Sequence, residues 1–455
     1  MAELFDHKRI HMVGAGGIGM SGLAKILAQA GHRVSGSDLR PSHSLAALEG
    51  AGVEVWLGHR PGAAGSWDLV VASSAVPERD PEIVAAIGAG VEVWERPRLL
   101  DLMTQRLPTI GVTGTHGKTT GTAMLVAALR GLGRDPSFMV GGELIDLNTN
   151  AHLGERDLFV LEADEAFGTF LSLHLRGLVV TNIESDHLDH YQTMDRLEAA
   201  FGEVSRNVTG PVVACIDDAG ARRLVEALPA ATGYGTSEDA RWRIAGLEPR
   251  PSGVAFHLIG PQGDTAVSIP KPGIHVARDA AGVLALIGEL GMDVAAAAEG
   301  LRGFAGVRRR FEVRGRVGGI VVVDDYAHHP TEVAATLAAA ALGHGGRVVA
   351  VFQPHRFTRT AAVGIELGQA LAGAQHAFVT DVYAAGETPI PGVTGRVVAD
   401  AASAAGVATT YVPRRAELAQ TVADAVHPGD LVLLMGAGDI TLVADEITPL
   451  LAARS

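Results

Sequence analysis

At 455 residues the chain is too long for one ordinary core, and a division into three domains of roughly 150 residues each is expected. Hydrophobic residues make up 47% and charged ones 19%, with 57 glycines and 21 prolines breaking the apolar runs, a composition that excludes disorder and suits an α/β protein. The net charge of −14 disfavours nucleic acid and anionic lipid as partners, and the lone Cys215 excludes both an internal disulfide and a cysteine-rich metal site.

No stretch nears the ~20 apolar residues of a membrane span, so no membrane partner is expected. The start, Met1 to Asp6, lacks the basic and apolar regions of an export signal, which points to a cytoplasmic location. The first elements read as βαβ: a strand from Ile10 to Val13, a glycine loop, a helix from about Met20 to Ala30, and a strand from Arg33 to Gly36. The loop Gly14-Ala15-Gly16-Gly17-Ile18-Gly19, with Asp38 after the next strand, matches the dinucleotide fingerprint. It predicts a diphosphate on a helix N-terminus, belonging either to a nicotinamide dinucleotide or to a sugar nucleotide. Strands at Val53 to Leu57, Trp67 to Ala72 and Val91 to Trp94 complete a small open sheet, and the first boundary falls before Pro108.

A strand from Thr109 to Thr113 then runs into Gly114-Thr115-His116-Gly117-Lys118-Thr119-Thr120 and a helix ending near Gly131. This is a phosphate-binding loop of shorter than usual spacing. Its glycines let backbone N–H groups converge on phosphate oxygens, Lys118 adds a charge at the β/γ-phosphates, and Thr119 is placed to ligate Mg²⁺. An apolar strand at Leu158 to Leu161 ends in Glu162-Ala163-Asp164-Glu165, where Glu162 is the expected metal ligand. The strand at Leu178 to Thr181 ends in a dense polar run through Asn182, Glu184, Asp186 and His187, with His187 as a further metal ligand. After a strand at Val212 to Ile216, the polar stretch from Tyr234 to Pro270 reads as antiparallel strands, followed by a helix from Arg278 to Leu290.

Arg308-Arg309-Arg310 is a positive cluster beside the second boundary, near Phe311. It reads as a γ-phosphate clamp, with a solvated charge run as the alternative for Arg308 and Arg309. The last region repeats the strand-helix rhythm at Ile320 to Val323, Val348 to Phe352, Ala377 to Thr380 and Leu431 to Leu434. Two polar loops follow its strands: Asp324-Asp325-Tyr326-Ala327-His328-His329-Pro330, and Gln353-Pro354-His355-Arg356-Phe357-Thr358-Arg359. Arg356 and Arg359 suit a carboxylate, and the histidines suit phosphate.

These segments together resemble the muramyl (Mur) ligases of bacterial wall synthesis, most closely the alanine-adding type. The resemblance is carried by Gly16 to Ala24, Ser35 to Asp38, Ser73 to Ala75, Gly114 to Thr120, Glu162 to Glu165, Thr181 to Asp189, Gly306 to Phe311, Asp324 to Val333 and Gln353 to Thr360. It implies three α/β domains: a Rossmann-like UDP-sugar domain over 1–107, a central P-loop ATPase-like domain with a mixed sheet over 108–311, and a C-terminal Rossmann-like domain over 312–455.

It further implies an ATP- and Mg²⁺-dependent enzyme that activates UDP-N-acetylmuramate as an acyl phosphate and joins it to L-alanine. The diphosphate would lie on Gly14, Gly16, Gly17, Ile18 and Gly19, with uridine near Ser37, Asp38, His59, Ser73 and Ser74. Lys118 and Arg310 would meet the γ-phosphate, and Thr119, Glu162 and His187 the metal. Asp325 and His328 would complete the nucleotide pocket, and His355, Arg356 and Arg359 would receive alanine. A monomer or weak homodimer is expected.

The chain departs from the family pattern at His275-Val276 and Asp279, where a His-Asn pair and a second Asn are usual, and at Ala166-Phe167. A murein-recycling ligase that accepts a peptide, a nicotinamide dehydrogenase and a non-catalytic nucleotide sensor are the competing readings. The dehydrogenase explains only the first glycine loop and leaves the Lys118 loop without a purpose.

Overall fold

The computed structural model describes residues 6, 8–250 and 252–454, so most of the segment read for an export signal lies outside the described residues. The first sheet comprises β1 (Arg9–Val13), β2 (Arg33–Asp38), β3 (Glu54–Leu57), β4 (Leu69–Ala72) and β5 (Glu92–Glu95) in the order β3-β2-β1-β4-β5. Every pairing in it is parallel. Apart from the exposed Arg9, the residues of β1 and β4 are buried, as helix-covered parallel strands require. The strand order reverses between β1 and β4, which opens a crevice at their C-terminal ends, where Gly14 to Gly19 and Ser73 lie.

The second sheet comprises β6 (Thr109–Thr113), β7 (Pro136–Leu144), β8 (Thr149–His152), β9 (Glu155–Glu162), β10 (Leu175–Val180), β11 (Val212–Cys215), β12 (Ala231–Gly235), β13 (Trp242–Arg250), β14 (Gly253–Gly260) and β15 (Gly263–Ile269). Their order is β15-β14-β13-β12-β11-β10-β6-β9-β7-β8. The sheet is mixed, with β7 and β8 antiparallel and β9, β6, β10, β11 and β12 mutually parallel. The neighbours β9, β6 and β10 all run in the same direction. Their C-terminal ends therefore bring together three motifs far apart in sequence: Glu162 to Glu165, Gly114 to Thr120, and Thr181 to His187.

The third sheet comprises β16 (Glu312–Val317), β17 (Ile320–Asp325), β18 (Val348–Phe352), β19 (His376–Val379), β20 (Ala408–Tyr411) and β21 (Leu431–Met435), ordered β16-β17-β21-β18-β19-β20. It is parallel except for β16, an antiparallel edge strand.

Several elements differ from the sequence expectation. The stretch from Tyr234 does not open as antiparallel strands, because Tyr234 pairs with Trp242 in parallel and β13 continues the parallel run of β12. The helix expected from Arg278 begins at Ile274. The β7–β8 hairpin and the edge strands β16 and β20 carry no clean apolar run, since they are hairpin or edge elements with polar or glycine positions.

The chain divides into two compact units, one of Met1–Ala245, His257–Val267 and Arg278–Ala305, the other of Gly246–Phe256, Ser268–Ala277 and Gly306–Ser455. Within the first, the β7–β8 hairpin fastens the first sheet's leading helix, Ile18–Gln29, to the second sheet. A Cβ on Gly22 would lie 2.9 Å from Met139 Cγ, so a larger residue would push the methionine aside. The buried Lys25 ammonium donates to Asn150 Oδ1 at 2.8 Å, and Asn150 Nδ2 donates to the Ile18 carbonyl at 2.8 Å. Among the described residues no helix is long and apolar enough to cross a membrane.

The helix Lys118–Gly131, which follows the phosphate loop, is braced by the helix Val294–Leu301 through a glycine–glycine crossing. A Cβ on Gly300 would lie 2.6 Å from the Ala127 carbonyl oxygen and 2.9 Å from Gly131 Cα. Gly300→Val is therefore expected to lower stability by about 1–3 kcal/mol through overpacking. Denaturant unfolding that returns the wild-type midpoint would contradict this close approach.

Candidate functional site

Lys118 opens its helix immediately after Gly117, which sits at φ +82° as the N-cap without a side-chain cap. The first-turn N–H groups thus have no internal carbonyl to reach, which leaves an anion-seeking helix end beside a cation. The Lys118 ammonium donates to the carbonyls of Gly114 at 2.7 Å and Thr115 at 3.2 Å, and to Glu165 Oε1 at 2.8 Å. Asp164 Oδ1 is 3.9 Å away. Burial works against the ammonium, but Glu165, Asp164 and Glu162 outweigh it and raise its pKa above the ordinary value. Burial also lifts the Glu165 carboxyl, to about 7, with Lys118 pulling the other way. The Lys118 shift reports the surrounding carboxylates and the Glu165 shift chiefly reports burial; with Glu162, Asp164 and Glu165 around one ammonium, the pocket holds more acidic groups than basic ones.

That excess bears on Mg²⁺. Thr119 Oγ1 donates to Glu162 Oε1 at 3.0 Å, Gly141 N donates to Glu162 Oε2 at 2.6 Å, and Asp164, Glu165 and His187 converge on one point. Glu165 is 1% exposed and its Oε2 has no hydrogen-bond partner. Hard oxygen donors with one orphaned buried oxygen fit a divalent cation. His187 Nε2 lies 3.8 Å from Glu165 Oε1, which groups this histidine with Asp164 and Glu165. The loop itself is pinned by the neighbouring strand's end: His116 N donates to Asn182 Oδ1 at 2.8 Å, Thr181 Oγ1 to the His116 carbonyl at 2.5 Å, and Glu184 N to Thr115 Oγ1 at 2.8 Å. Thr120 follows Thr119 in the first turn and is half-buried.

At the first glycine loop, Gly14 N and Ala15 N both donate to the Ser37 carbonyl at 2.9 Å, and Gly16 N donates to Asp38 Oδ2 at 2.9 Å. Gly17 and Ile18 are exposed, and Gly19 is half-buried. The Ser37 hydroxyl turns inward to Glu82 Oε2 at 2.5 Å. Glu82 is fully buried; its contacts with His11, the Ser37 hydroxyl and the Arg60 backbone N–H keep its pKa low, about 2, against the cost of burial, and it also accepts from Trp56 Nε1. His59 Nδ1 is 3.5 Å from Asp80 Oδ2, Ser73 packs against Gly14, and Ser74 is exposed.

In the second unit, Arg309 is committed to the fold. It donates to the Gly436 carbonyl at 2.6 Å and lies over Tyr326, whereas Arg308 is 3.5 Å from Glu312. Arg310 lies over the same ring at 5.0 Å. Asp325 accepts from Phe311 N at 2.7 Å and Ala327 N at 2.8 Å, and burial lifts its pKa to about 6. His328 Nδ1 is 2.9 Å from the Tyr326 carbonyl oxygen. His355 stacks on Tyr383 at 5.5 Å, 6.0 Å from the His328 ring. Arg356, at φ +68°, donates to Glu387 Oε1 at 2.6 Å, and Thr358 N and Oγ1 also bind Glu387. Arg359 lies one helical turn from Arg356.

The chain matches the Mur ligase family's catalytic domain over residues 9–107, its middle domain over 112–287 and its glutamate ligase domain over 309–438. The UDP-N-acetylmuramate–L-alanine ligase of Mycolicibacterium vanbaalenii is 43% identical over 98% of this chain and 97% of its own. This chain belongs to the Mur ligase family. The corresponding ligase of Mycobacterium tuberculosis is 42% identical over 99% of this chain and 96% of its own. Among solved structures, the UDP-N-acetylmuramate–alanine ligase of Thermotoga maritima superposes with a TM-score of 0.85 at 28% identity, covering 98% and 100% of the two chains. A murein peptide ligase of Psychrobacter arcticus shares the fold, with a TM-score of 0.71 at 24% identity over 98% of each chain.

Three acids of this Mur ligase were not singled out by sequence reasoning. The sequence pattern points to Glu162 as the metal ligand, whereas Glu165 holds Lys118. Glu82 and Glu387 sit outside any glycine loop, and only their tertiary contacts mark them: buried ones for Glu82, and the partly exposed pair with Arg356 for Glu387. The departure Asp279 packs against the phosphate loop, since a Cβ on Gly117 would lie 2.5 Å from its Oδ1. Val276 is buried. Phe167 is 73% exposed at φ +55°, edge-on to His190, so the Ala166-Phe167 departure yields a kinked turn with an aromatic ring at its surface.

Burial, aided by His328 and the two nearby arginines, lowers the His355 pKa to about 4. His355 is therefore expected to stay neutral from pH 5 to 8 and to act only as a neutral hydrogen-bonding ring. An NMR titration of its ring proton should give a midpoint near 4, and a midpoint near the ordinary histidine value would contradict this burial.

Proposed function

We propose that this Mur ligase is the alanine-adding enzyme: it uses ATP to activate the lactyl carboxylate of UDP-N-acetylmuramate and joins it to L-alanine, releasing ADP and phosphate in peptidoglycan precursor synthesis. The observation that carries the reading is the Lys118 loop, a strand-loop-helix phosphate site held among Glu162, Asp164 and Glu165. The Mycolicibacterium vanbaalenii L-alanine ligase, 43% identical almost end to end, supplies the substrate pair. The working division is UDP-sugar binding over 1–107, ATP binding over 108–311 and amino-acid binding over 312–455. The working location is the cytoplasm, as the sequence reading expects.

A carboxylate does not react with amines near neutral pH, so transfer of the γ-phosphoryl group must first give an acyl phosphate, whose phosphate then leaves as the amine attacks. The chain's part is positioning and charge. The N–H groups from Gly114 to Thr120 cradle phosphate oxygens, and Lys118 moves from Glu165 to the transferring group. Thr119, Glu162 and His187 would hold Mg²⁺, which supplies further neutralisation of phosphate charge. In the second unit, Arg356 and Arg359 bind the carboxylate of alanine. Glu387 fixes the Arg356 guanidinium. Arg310, Asp325 and His328 are assigned to the nucleotide.

The first test measures phosphate release from ATP with UDP-N-acetylmuramate while the amino acid or peptide is varied. Alanine-dependent release supports the reading, and release that requires a preformed peptide contradicts it. Lys118→Ala is expected to reduce ADP formation about 10³-fold or more while leaving UDP-N-acetylmuramate binding intact. Unchanged turnover would remove the loop from the mechanism. Arg359→Ala should raise the KM for alanine by roughly 10- to 100-fold, as loss of a charge-assisted pair implies, with little change in the KM for ATP. The reverse pattern would refute its role.

A further inference from the structure

The first glycine loop is one-sided. Of its N–H groups, those of Gly14 and Ala15 are taken by the Ser37 carbonyl and that of Gly16 by the Asp38 carboxylate. What remains for a ligand is the first turn of the helix Ile18–Gln29, whose N-cap Gly17 offers no side chain and whose Ile18, Gly19 and Met20 N–H groups have no internal acceptor. With Asp38 on the other flank, this arrangement holds too little positive charge for a doubly charged diphosphate.

The missing charge is carried by a residue outside every glycine motif. Arg96, at the start of the helix that follows β5, lies against Gly19: a Cβ on Gly19 would sit 2.9 Å from the Arg96 Cζ and 3.0 Å from its Nη2. Its Nε is buried and has no hydrogen-bond partner. Leu99, Leu100 and Met103 of the same helix are buried in the core and fix the position of this side chain. A half-buried guanidinium whose buried Nε has no hydrogen-bond partner, beside a helix N-terminus with unused donors, is an arrangement completed by an anion.

We propose that Arg96 is a substrate-binding residue that receives the diphosphate of the sugar nucleotide, and that Gly19 lacks a side chain to make room for its guanidinium. This rests on the UDP-N-acetylmuramate reading above and adds to it a ligand contact and a reason for the glycine. The planar fork spans two phosphate oxygens, which backbone N–H groups alone hold without a full charge.

The test uses steady-state kinetics of the full chain and inhibition by UDP, which keeps the diphosphate and lacks the lactyl carboxylate. Arg96→Ala should raise the KM for UDP-N-acetylmuramate roughly 10- to 100-fold and weaken UDP by the same factor, with kcat, the KM for ATP and the KM for alanine near wild type. Arg96→Lys should recover part of the loss, because it keeps the charge without the fork. Gly19→Ala provides a second variant that does not depend on Arg96→Ala folding. Its backbone is not in the positive-φ region, so alanine suits the helix, yet its Cβ would displace the guanidinium and weaken UDP in the same direction.

If UDP inhibits Arg96→Ala as well as it inhibits wild type while the KM for UDP-N-acetylmuramate rises, the partner is the lactyl carboxylate and the diphosphate assignment is overturned. If every KM rises together with a lowered melting temperature, Arg96 is structural and the proposal fails. A wild-type protein that does not turn over UDP-N-acetylmuramate overturns both this proposal and the functional reading on which it rests.

Discussion

One ion pair organises the central site: the Lys118 ammonium held by Glu165 beneath the phosphate loop. A lysine taken this far out of water is sustained only by opposite charge, and the chain supplies more of that charge than one ammonium neutralises. Glu162, Asp164 and Glu165 come from the end of a single strand, and His187 from the strand two places away. The excess carboxylate has a direct use. A nucleotide brought in with a divalent cation exchanges the Lys118–Glu165 pair for lysine–phosphate and carboxylate–metal contacts, so each charge already present finds a stronger partner. The overall acidity of the chain fits the same logic, because phosphate groups are met by a few placed cations and by helix ends.

The same use of charge recurs away from the central site. Glu82 lies under the first glycine loop and ties Ser37, Trp56 and the Arg60 backbone to one point. Glu387 ties Arg356 to Thr358. Each is an acid that holds a neighbour in place. The β7–β8 hairpin extends this rigidity: it supplies Gly141 N to Glu162 and Asn150 to the Ile18 carbonyl, and so links the sugar-nucleotide loop to the metal-side carboxylate within one unit. Helix-end geometry and backbone amides account for most of the phosphate recognition, and the side chains supply charge.

Much of this was legible in the sequence because glycine loops between an apolar strand and a helix have few other uses. Gly14 to Gly19 and Gly114 to Thr120 both stand where the strand-loop-helix pattern put them, and the parallel core strands β1, β6, β10, β18 and β21 announce themselves as apolar runs. The hairpin β7–β8 and the edge strands β16 and β20 did not, since a strand with one exposed face or a glycine pair lacks that run. Glu165 and Arg96 were hidden for a different reason. Their roles depend on which strand ends lie side by side, and strand order is a tertiary property that local spacing does not encode. Ser37 is a mixed case: its backbone carbonyl serves the loop as the motif suggested, while its hydroxyl is spent on Glu82.

The most direct measurement is a crystal structure of the protein with a non-hydrolysable ATP analogue and Mg²⁺. The terminal phosphate is expected against the N–H groups of Gly114 to Thr120, with the Lys118 ammonium moved from Glu165 onto a phosphate oxygen. A nucleotide bound elsewhere, with Lys118 still paired to Glu165, would contradict it.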